Sequence, residues 1–208
     1  MIELLTADTP NGKKISIMLE EIKFDYKVTK INILKDDQFK AEFKKLSPFS
    51  KIPVIIDHNE KVSMFESGAI LIYLAEKSGM FYNKDQRTTI NQWLMGQMGY
   101  VGPMLGQHHQ FHHYNPGKSE FGEKRYFKIA ERIYKELDER LSKSKFLAGD
   151  DYTIADIATF PWIARHEWHD IGLHKFKSLT RWYEDISKRD AVIRGYDLLN
   201  KGDQIPKV

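Results

Sequence analysis

Residues 51–69 read K-I-P-V-I-I-D-H-N-E-K-V-S-M-F-E-S-G-A. Pro53-Val54-Ile55-Ile56 is a compact apolar strand, and its leading proline, which has no backbone N–H, belongs at a strand's first residue or at an edge. His58-Asn59-Glu60 is a turn, and 62–65 returns as the hairpin partner. A helix then runs over 67–77 and stops at Gly79. Working upstream, 2–5 reads as a strand and 13–23 as a helix, with Ile15, Met18, Leu19 and Ile22 at helical spacing. The stretch 26–33 alternates as a half-buried strand, and 38–46 is a short helix carrying Phe39 and Phe43. The order is β-α-β-α-β-β-α. Downstream of a linker at Asn83-Lys84-Asp85 the strand signals stop. Helical patterns cover 87–113, 119–143, 154–171, 179–189 and 191–199, and Gly102-Pro103 should kink or loosen the first of them. The expected architecture is α/β plus all-α, with a small α/β domain over 1–82 and an all-helical domain over 86–208.

Composition narrows the function classes. Lys and Arg number 32 against 29 Asp and Glu, a net charge of +3, mixed along the chain. A nucleic-acid-binding face needs clustered cations, so nucleic acid is not the expected partner. The short pairs Lys13-Lys14 and Lys44-Lys45 read as solvated helix faces. No run approaches the length of a membrane span, and the start Met1-Ile2-Glu3-Leu4-Leu5 lacks the features of a secretory signal. The expectation is a cytoplasmic protein with no membrane partner. The chain has no cysteine, which removes disulfides, thiolate metal sites and cysteine redox motifs. Any thiol chemistry must use a sulfur brought in by a ligand.

Five places offer chemistry. Asp8-Thr9-Pro10-Asn11-Gly12 opens the first helix, where free N–H groups and the helix dipole stabilise an anion such as a thiolate. Thr9 and Asn11 can each donate to a sulfur; either can equally cap the helix, and the two roles are compatible. Ile52-Pro53 reads locally as a trans bond at a strand start; were it cis, the Ile52 backbone would be turned toward a ligand's backbone. In Phe65-Glu66-Ser67-Gly68, Ser67 stands at a helix N-cap, open to a carboxylate or simply capping, with Glu66 beside it for an ammonium group. Thr153-Ile154-Ala155-Asp156 reads as a structural capping box with Asp in place of Glu. His108 with His112, and His109 with His113, have the i, i+4 spacing of a helical metal site. No Glu or Cys completes a metal set there, so the reading is a polar pocket wall and no metal.

Taken together these strings resemble the cytosolic glutathione transferases over nearly the whole chain, and most of all the nu class, the YfcG-type bacterial proteins described as glutathione-dependent disulfide-bond oxidoreductases. T-P-N-G at 9–12, K-I-P-V at 51–54, F-E-S-G-A at 65–69 and G-P-M-L-G-Q at 102–107 carry the match. The resemblance implies a thioredoxin-like N-terminal domain that binds glutathione, a helical C-terminal domain, and a homodimer. It also implies a cis Pro53, Ile52 paired with the cysteinyl backbone, and Glu66 and Ser67 on the γ-glutamyl group. Gln38 and Lys51 would grip the glycine end, and Arg125 would reach the tripeptide from the helical domain of its own or the neighbouring subunit. Thr9 and Asn11 stand where many classes place a sulfur-activating Tyr, Ser or Cys. Tyr26 and Tyr73 fall in strand and helix bodies and are poor substitutes.

That departure points away from conventional conjugation and toward exchange between glutathione and a disulfide, with two glutathione molecules, or one disulfide-linked pair, supplying both sulfurs. The alternatives are a conventional transferase acting on electrophiles and a non-catalytic glutathione-binding or regulatory protein. The second substrate, a small disulfide or electrophile, would meet residues such as Met104, Phe111 and Trp168.

Overall fold

A computed structural model describes residues 1–199 and 201–208. The chain divides into two units, Met1–Tyr82 with Arg189–Gln204, and Asn83–Lys188 with Ile205–Val208. Packing draws 189–204 into the first unit, although sequence pattern alone leaves that stretch with the helical half.

The first unit is built on β1 (Ile2–Thr6), β2 (Tyr26–Lys30), β3 (Val54–Asp57) and β4 (Val62–Phe65), in the order β2-β1-β3-β4. β1 runs parallel to β2 and antiparallel to β3, and β3 to β4 is the expected hairpin. α1 (Pro10–Ile22) provides the crossover that a parallel β1–β2 pair needs. α2 (Ala41–Leu46) is shorter than the sequence pattern suggests. Lys40 adopts an extended backbone (φ −62°, ψ 142°) that separates α2 from a 3₁₀ turn at Asp37–Phe39. α3 (Ser67–Ser78) ends at Gly79, whose φ of 72° is the left-handed conformation favouring glycine at a helix stop.

Nearly every side chain of α1 from Gly12 to Leu19 is buried, because α1 packs against both α3 and α10 (Asp190–Tyr196). Gly195 makes the second contact possible: a Cβ there would lie 2.5 Å from the Ile17 Cα. Ser16 donates to the Gly195 carbonyl, and Glu21 takes the Arg189 guanidinium at 2.6 and 2.9 Å.

In the second unit the expected helix over 87–113 is one continuous coil of changing pitch. α4 (Arg87–Gly96) and α5 (Gly102–His108) are each followed by a π-helical stretch, Gln97–Val101 and His109–Tyr114. Pro103 cannot donate to an i−4 carbonyl, and the wider turn before it absorbs the loss. α6 (Glu120–Ser142) is capped by Ser119 and buries Ala130, Ile133, Tyr134, Leu137 and Leu141 along one face. The expected helix over 154–171 breaks into α7 (Ile154–Ile163) and α8 (His166–His169), which ends at Asp170 with a φ of 54°. α9 (Lys177–Ser187) follows. The Thr153–Asp156 capping box is present, and the buried Asp156 carboxylate also accepts from the Leu147 N–H and the Trp182 indole, a structural hub. Among the described residues no helix is long and apolar enough to cross a membrane.

Candidate functional site

Thr9 caps α1 from an extended backbone (φ −140°, ψ 160°), its hydroxyl oxygen accepting from the Gly12 N–H at 3.1 Å. A hydroxyl that accepts one bond still has its own proton to give. Pro10 brings no N–H and Gly12 is taken by Thr9, so an anion here meets fewer bare amides than an open helix start offers. Side-chain donors and the positive end of the helix dipole matter correspondingly more. Gly12 admits no side chain, since a Cβ would sit 2.4 Å from the Ala7 carbonyl and from Thr6 Oγ1. Asn11 is half-buried at this helix start. The two tyrosines are engaged elsewhere: Tyr26 donates to Glu20 at 2.9 Å and Tyr73 to Asp57 at 2.8 Å. Burial first, and then these carboxylates, push both phenols upward, which makes them poorer acids.

The Ile52-Pro53 bond is cis, as the family resemblance implies and the local reading does not. Ile52 lies just ahead of the ladder, whose first pairs join Val54 to Leu5 and to Phe65. The loop before it is pinned by Ser47, whose hydroxyl donates to the Lys51 carbonyl at 2.8 Å and accepts from the Lys51 N–H at 3.1 Å. The Lys51 side chain is exposed. Gln38 sits in the 3₁₀ turn, its amide donating to the Ile33 carbonyl at 3.4 Å. Its Oε1 is shielded from solvent and has no partner.

Glu66 holds φ 70° and ψ 111°, a sparsely populated conformation for a non-glycine residue. The N-cap of α3 is this residue and not Ser67, which is the first helical residue; the expected capping role is thus corrected by one position. Beneath Ser67 lies Lys14, whose ammonium donates to Ser67 Oγ at 3.4 Å.

The expectation of a solvated Lys13-Lys14 pair is overturned, because each side chain is 1% exposed. A helix packed on two faces leaves no solvent side at its first turn. Lys13 is matched by Asp8 at 2.9 Å, Asp203 at 3.3 Å, and the carbonyl and ring of Tyr196. For Lys14, burial pulls the ammonium down to about 7, opposed by the charge of Glu66. Lys14 stands four residues before Met18, on the apolar face, and that spacing is the signal that could have revealed its burial.

In the second unit Arg125 is exposed on α6 and borders a groove of about 600 Å³ with Tyr100, Met104, Phe121, Lys128 and Arg132. Phe111 stacks on Tyr126, and Trp168 lies between His113 and Arg165. Of the histidine stretch expected to form a polar pocket wall, His108 and His109 are instead buried, while His112 is half-buried and His113 exposed. His109 Nε2 is 2.8 Å from His169 Nε2, the His169 Nδ1 shares a hydrogen bond with the Tyr134 hydroxyl at 2.6 Å, and His108 donates to the His169 carbonyl. Among the described residues no group of three or more such side chains converges on a metal position.

The chain matches the family models for the glutathione S-transferase N-terminal domain over residues 3–76 and C-terminal domain over residues 103–190. It belongs to the glutathione transferase family. Among curated relatives it is 42% identical to Disulfide-bond oxidoreductase YfcG of Escherichia coli K12, over 98% of each chain. It is 38% identical to Disulfide-bond oxidoreductase YghU of the same organism, over 93% of this chain and 73% of the relative. Two solved structures are similar throughout. A Burkholderia graminis glutathione transferase with two glutathione molecules bound per subunit has a TM-score of 0.91 and 38% identity, covering 97% of this chain and 89% of that one. A Pseudomonas putida glutathione transferase with one glutathione disulfide bound per subunit has a TM-score of 0.89 and 40% identity, covering 95% and 91%.

Proposed function

We propose that this chain is a cytoplasmic glutathione-dependent disulfide-bond reductase in which glutathione supplies every reacting sulfur. The observation that carries the reading is a helix start bearing Thr9 and Asn11 in a chain with no cysteine. The names of its relatives and the ligands of its structural neighbours support it.

In the proposed reaction one glutathione thiolate, held by Thr9 and Asn11, attacks a small-molecule disulfide along the sulfur–sulfur axis. A mixed disulfide forms and one substrate thiolate leaves and takes up a proton. A second glutathione thiolate then attacks the glutathione sulfur of the mixed disulfide, releasing the second substrate thiol and glutathione disulfide. Two glutathione molecules lose one electron each, and the substrate disulfide gains both. In the 1–82 domain the Ile52 backbone would pair with the cysteinyl unit, and Glu66 and Ser67 would receive the γ-glutamyl ammonium and carboxylate. Gln38 and Lys51 would hold the glycine end. Arg125, in the 86–208 domain, would reach the tripeptide of its own subunit or of the neighbour in a homodimer.

Magnitudes say which contribution dominates. Lowering a thiol pKa from about 8.5 by one unit raises the thiolate fraction at pH 7 roughly eightfold, and the accompanying loss of nucleophilicity takes back about threefold. Thiolate stabilisation alone therefore yields only a few-fold gain, and holding two sulfurs in line must supply the larger share. Parallel assays test this. The purified chain should reduce a model disulfide such as bis(2-hydroxyethyl) disulfide well above the glutathione background and conjugate an aromatic halide slowly or not at all. Fast conjugation with background disulfide turnover would replace the reading with a conventional transferase. Absence of both activities, together with no calorimetric affinity for glutathione or its disulfide, would leave a non-catalytic protein.

A further inference from the structure

Between residues 124 and 132, α6 carries Lys124, Arg125, Lys128 and Arg132, all of them lining the groove of about 600 Å³ in the second unit. Residues three or four apart face each other on a helix, so Lys128 stands against three like charges, which disfavours the helix. Elsewhere α6 pairs its charges, Glu120 with Lys124 and Glu139 with Lys143. Glu131 and Glu136 lie three and four residues beyond Lys128 and Arg132, the spacing at which such pairs close. Among the described residues, however, no carboxylate comes within ion-pair distance of Arg125, Lys128 or Arg132. A surface helix with no other task would neutralise this stripe.

The groove is not only cationic. Tyr100, Met104, Phe121 and Ile129 supply its apolar lining, with Phe121 77% and Tyr100 43% exposed. Its volume is that of a small-molecule cleft. A molecule that fits must be negative, to satisfy three unopposed cations, and must carry hydrocarbon, to cover the exposed rings. Arg125 is the groove residue assigned above to the tripeptide, and Lys128 and Arg132 follow it along α6 by about one and two turns.

Resting on the disulfide-reductase reading above, we propose that this groove receives the second substrate and that Lys128 and Arg132 select disulfides bearing carboxylates on short hydrocarbon arms. The two cations hold the carboxylates, the apolar lining covers the arms, and neither cation takes part in the exchange of sulfurs. Bonds form and break as already written for a small disulfide.

Steady-state kinetics of the full chain test this on three disulfides of similar length: dianionic 3,3′-dithiodipropionate, neutral bis(2-hydroxyethyl) disulfide and dicationic cystamine. After subtraction of the uncatalysed rate, the natural chain should give its highest kcat/KM with the dianion and its lowest with the dication. The preference should shrink in about 0.5 M salt, because these charges are exposed and screened. Combining Lys128→Gln with Arg132→Gln should lower kcat/KM for the dianion about fivefold, through KM, the scale of two exposed charge contacts. Turnover of the neutral disulfide should stay within about twofold, as for surface substitutions generally. Combining Lys128→Glu with Arg132→Glu should reverse the order and favour cystamine. No charge preference in the natural chain, or equal losses on all three disulfides, overturns the proposal. A raised KM for glutathione common to all three assigns the cations to the tripeptide and overturns it as well. So does a change of oligomeric mass in the variants with the charge preference intact, which gives the groove to a second copy of the chain. A natural chain that turns over none of the three overturns the reductase reading and this proposal together.

Discussion

Asn11 and Thr9 share a loop, but substitution should separate them. Asn11→Ala removes the proposed donor to a charged sulfur and leaves the Thr9–Gly12 cap bond in place. It should raise the bound thiol's pKa by about one unit and lower disulfide turnover at neutral pH about threefold. The readouts are ultraviolet titration of the bound thiolate and steady-state rates. Thr9→Ala should do this and also cost about 1 kcal/mol of stability, because Thr9 caps Gly12, whereas Thr9→Ser should restore the cap. At this scale the candidate site was legible wherever it is a string. T-P-N-G and F-E-S-G place their residues at the starts of α1 and α3, and the cis bond at Pro53 follows from K-I-P-V only through the resemblance. Lys14 was not legible because a lysine pair reads as a solvated face until a second packing surface is known.

Elements set the acid limit of stability. His108, His109 and His169 are each held below the ordinary histidine range, chiefly by burial and secondarily by nearby positive charge, from His112 at His108, from His108 and Arg165 at His109, and from His109 and His108 at His169; His109 lies at about 3. Their folded pKa values lie below the unfolded value, so between about pH 6.5 and 3 the unfolded chain binds more protons and stability is lost as the pH is lowered. Asp156 works the other way. Burial raises it to about 6, so acidification through that value relieves a buried charge. Three histidines against one carboxylate give a net loss. The denaturant midpoint should decline from near-neutral pH toward pH 4, and His109→Phe should flatten the decline; a midpoint constant over that range would contradict the assignment. The helix carrying His108 and His109 was legible as a 3.6-residue pattern. Its two π-helical stretches were not, because a wider turn leaves the same apolar spacing while shifting which side chains face inward. The break after Ile163 was hidden for a related reason: α7 is buried on every side, so no amphipathic edge marks its end.

For the molecule as a whole, the order of strands and helices could be read from periodicity, and the hairpin at 62–65 agrees to the residue. The return of 189–204 to the first unit could not. It depends on Gly195 meeting Ile17 and on Lys13 meeting Asp203, pairings across the chain that no local window contains. The functional account likewise depends on something outside the chain, a sulfur that a cysteine-free protein must borrow. The most direct test is a crystal structure of the chain soaked with glutathione. The account predicts the cysteinyl sulfur within hydrogen-bonding distance of the Thr9 hydroxyl or the Asn11 amide, with the second sulfur in line beyond it. A tripeptide bound with its sulfur directed away from the start of α1 would contradict the proposed chemistry.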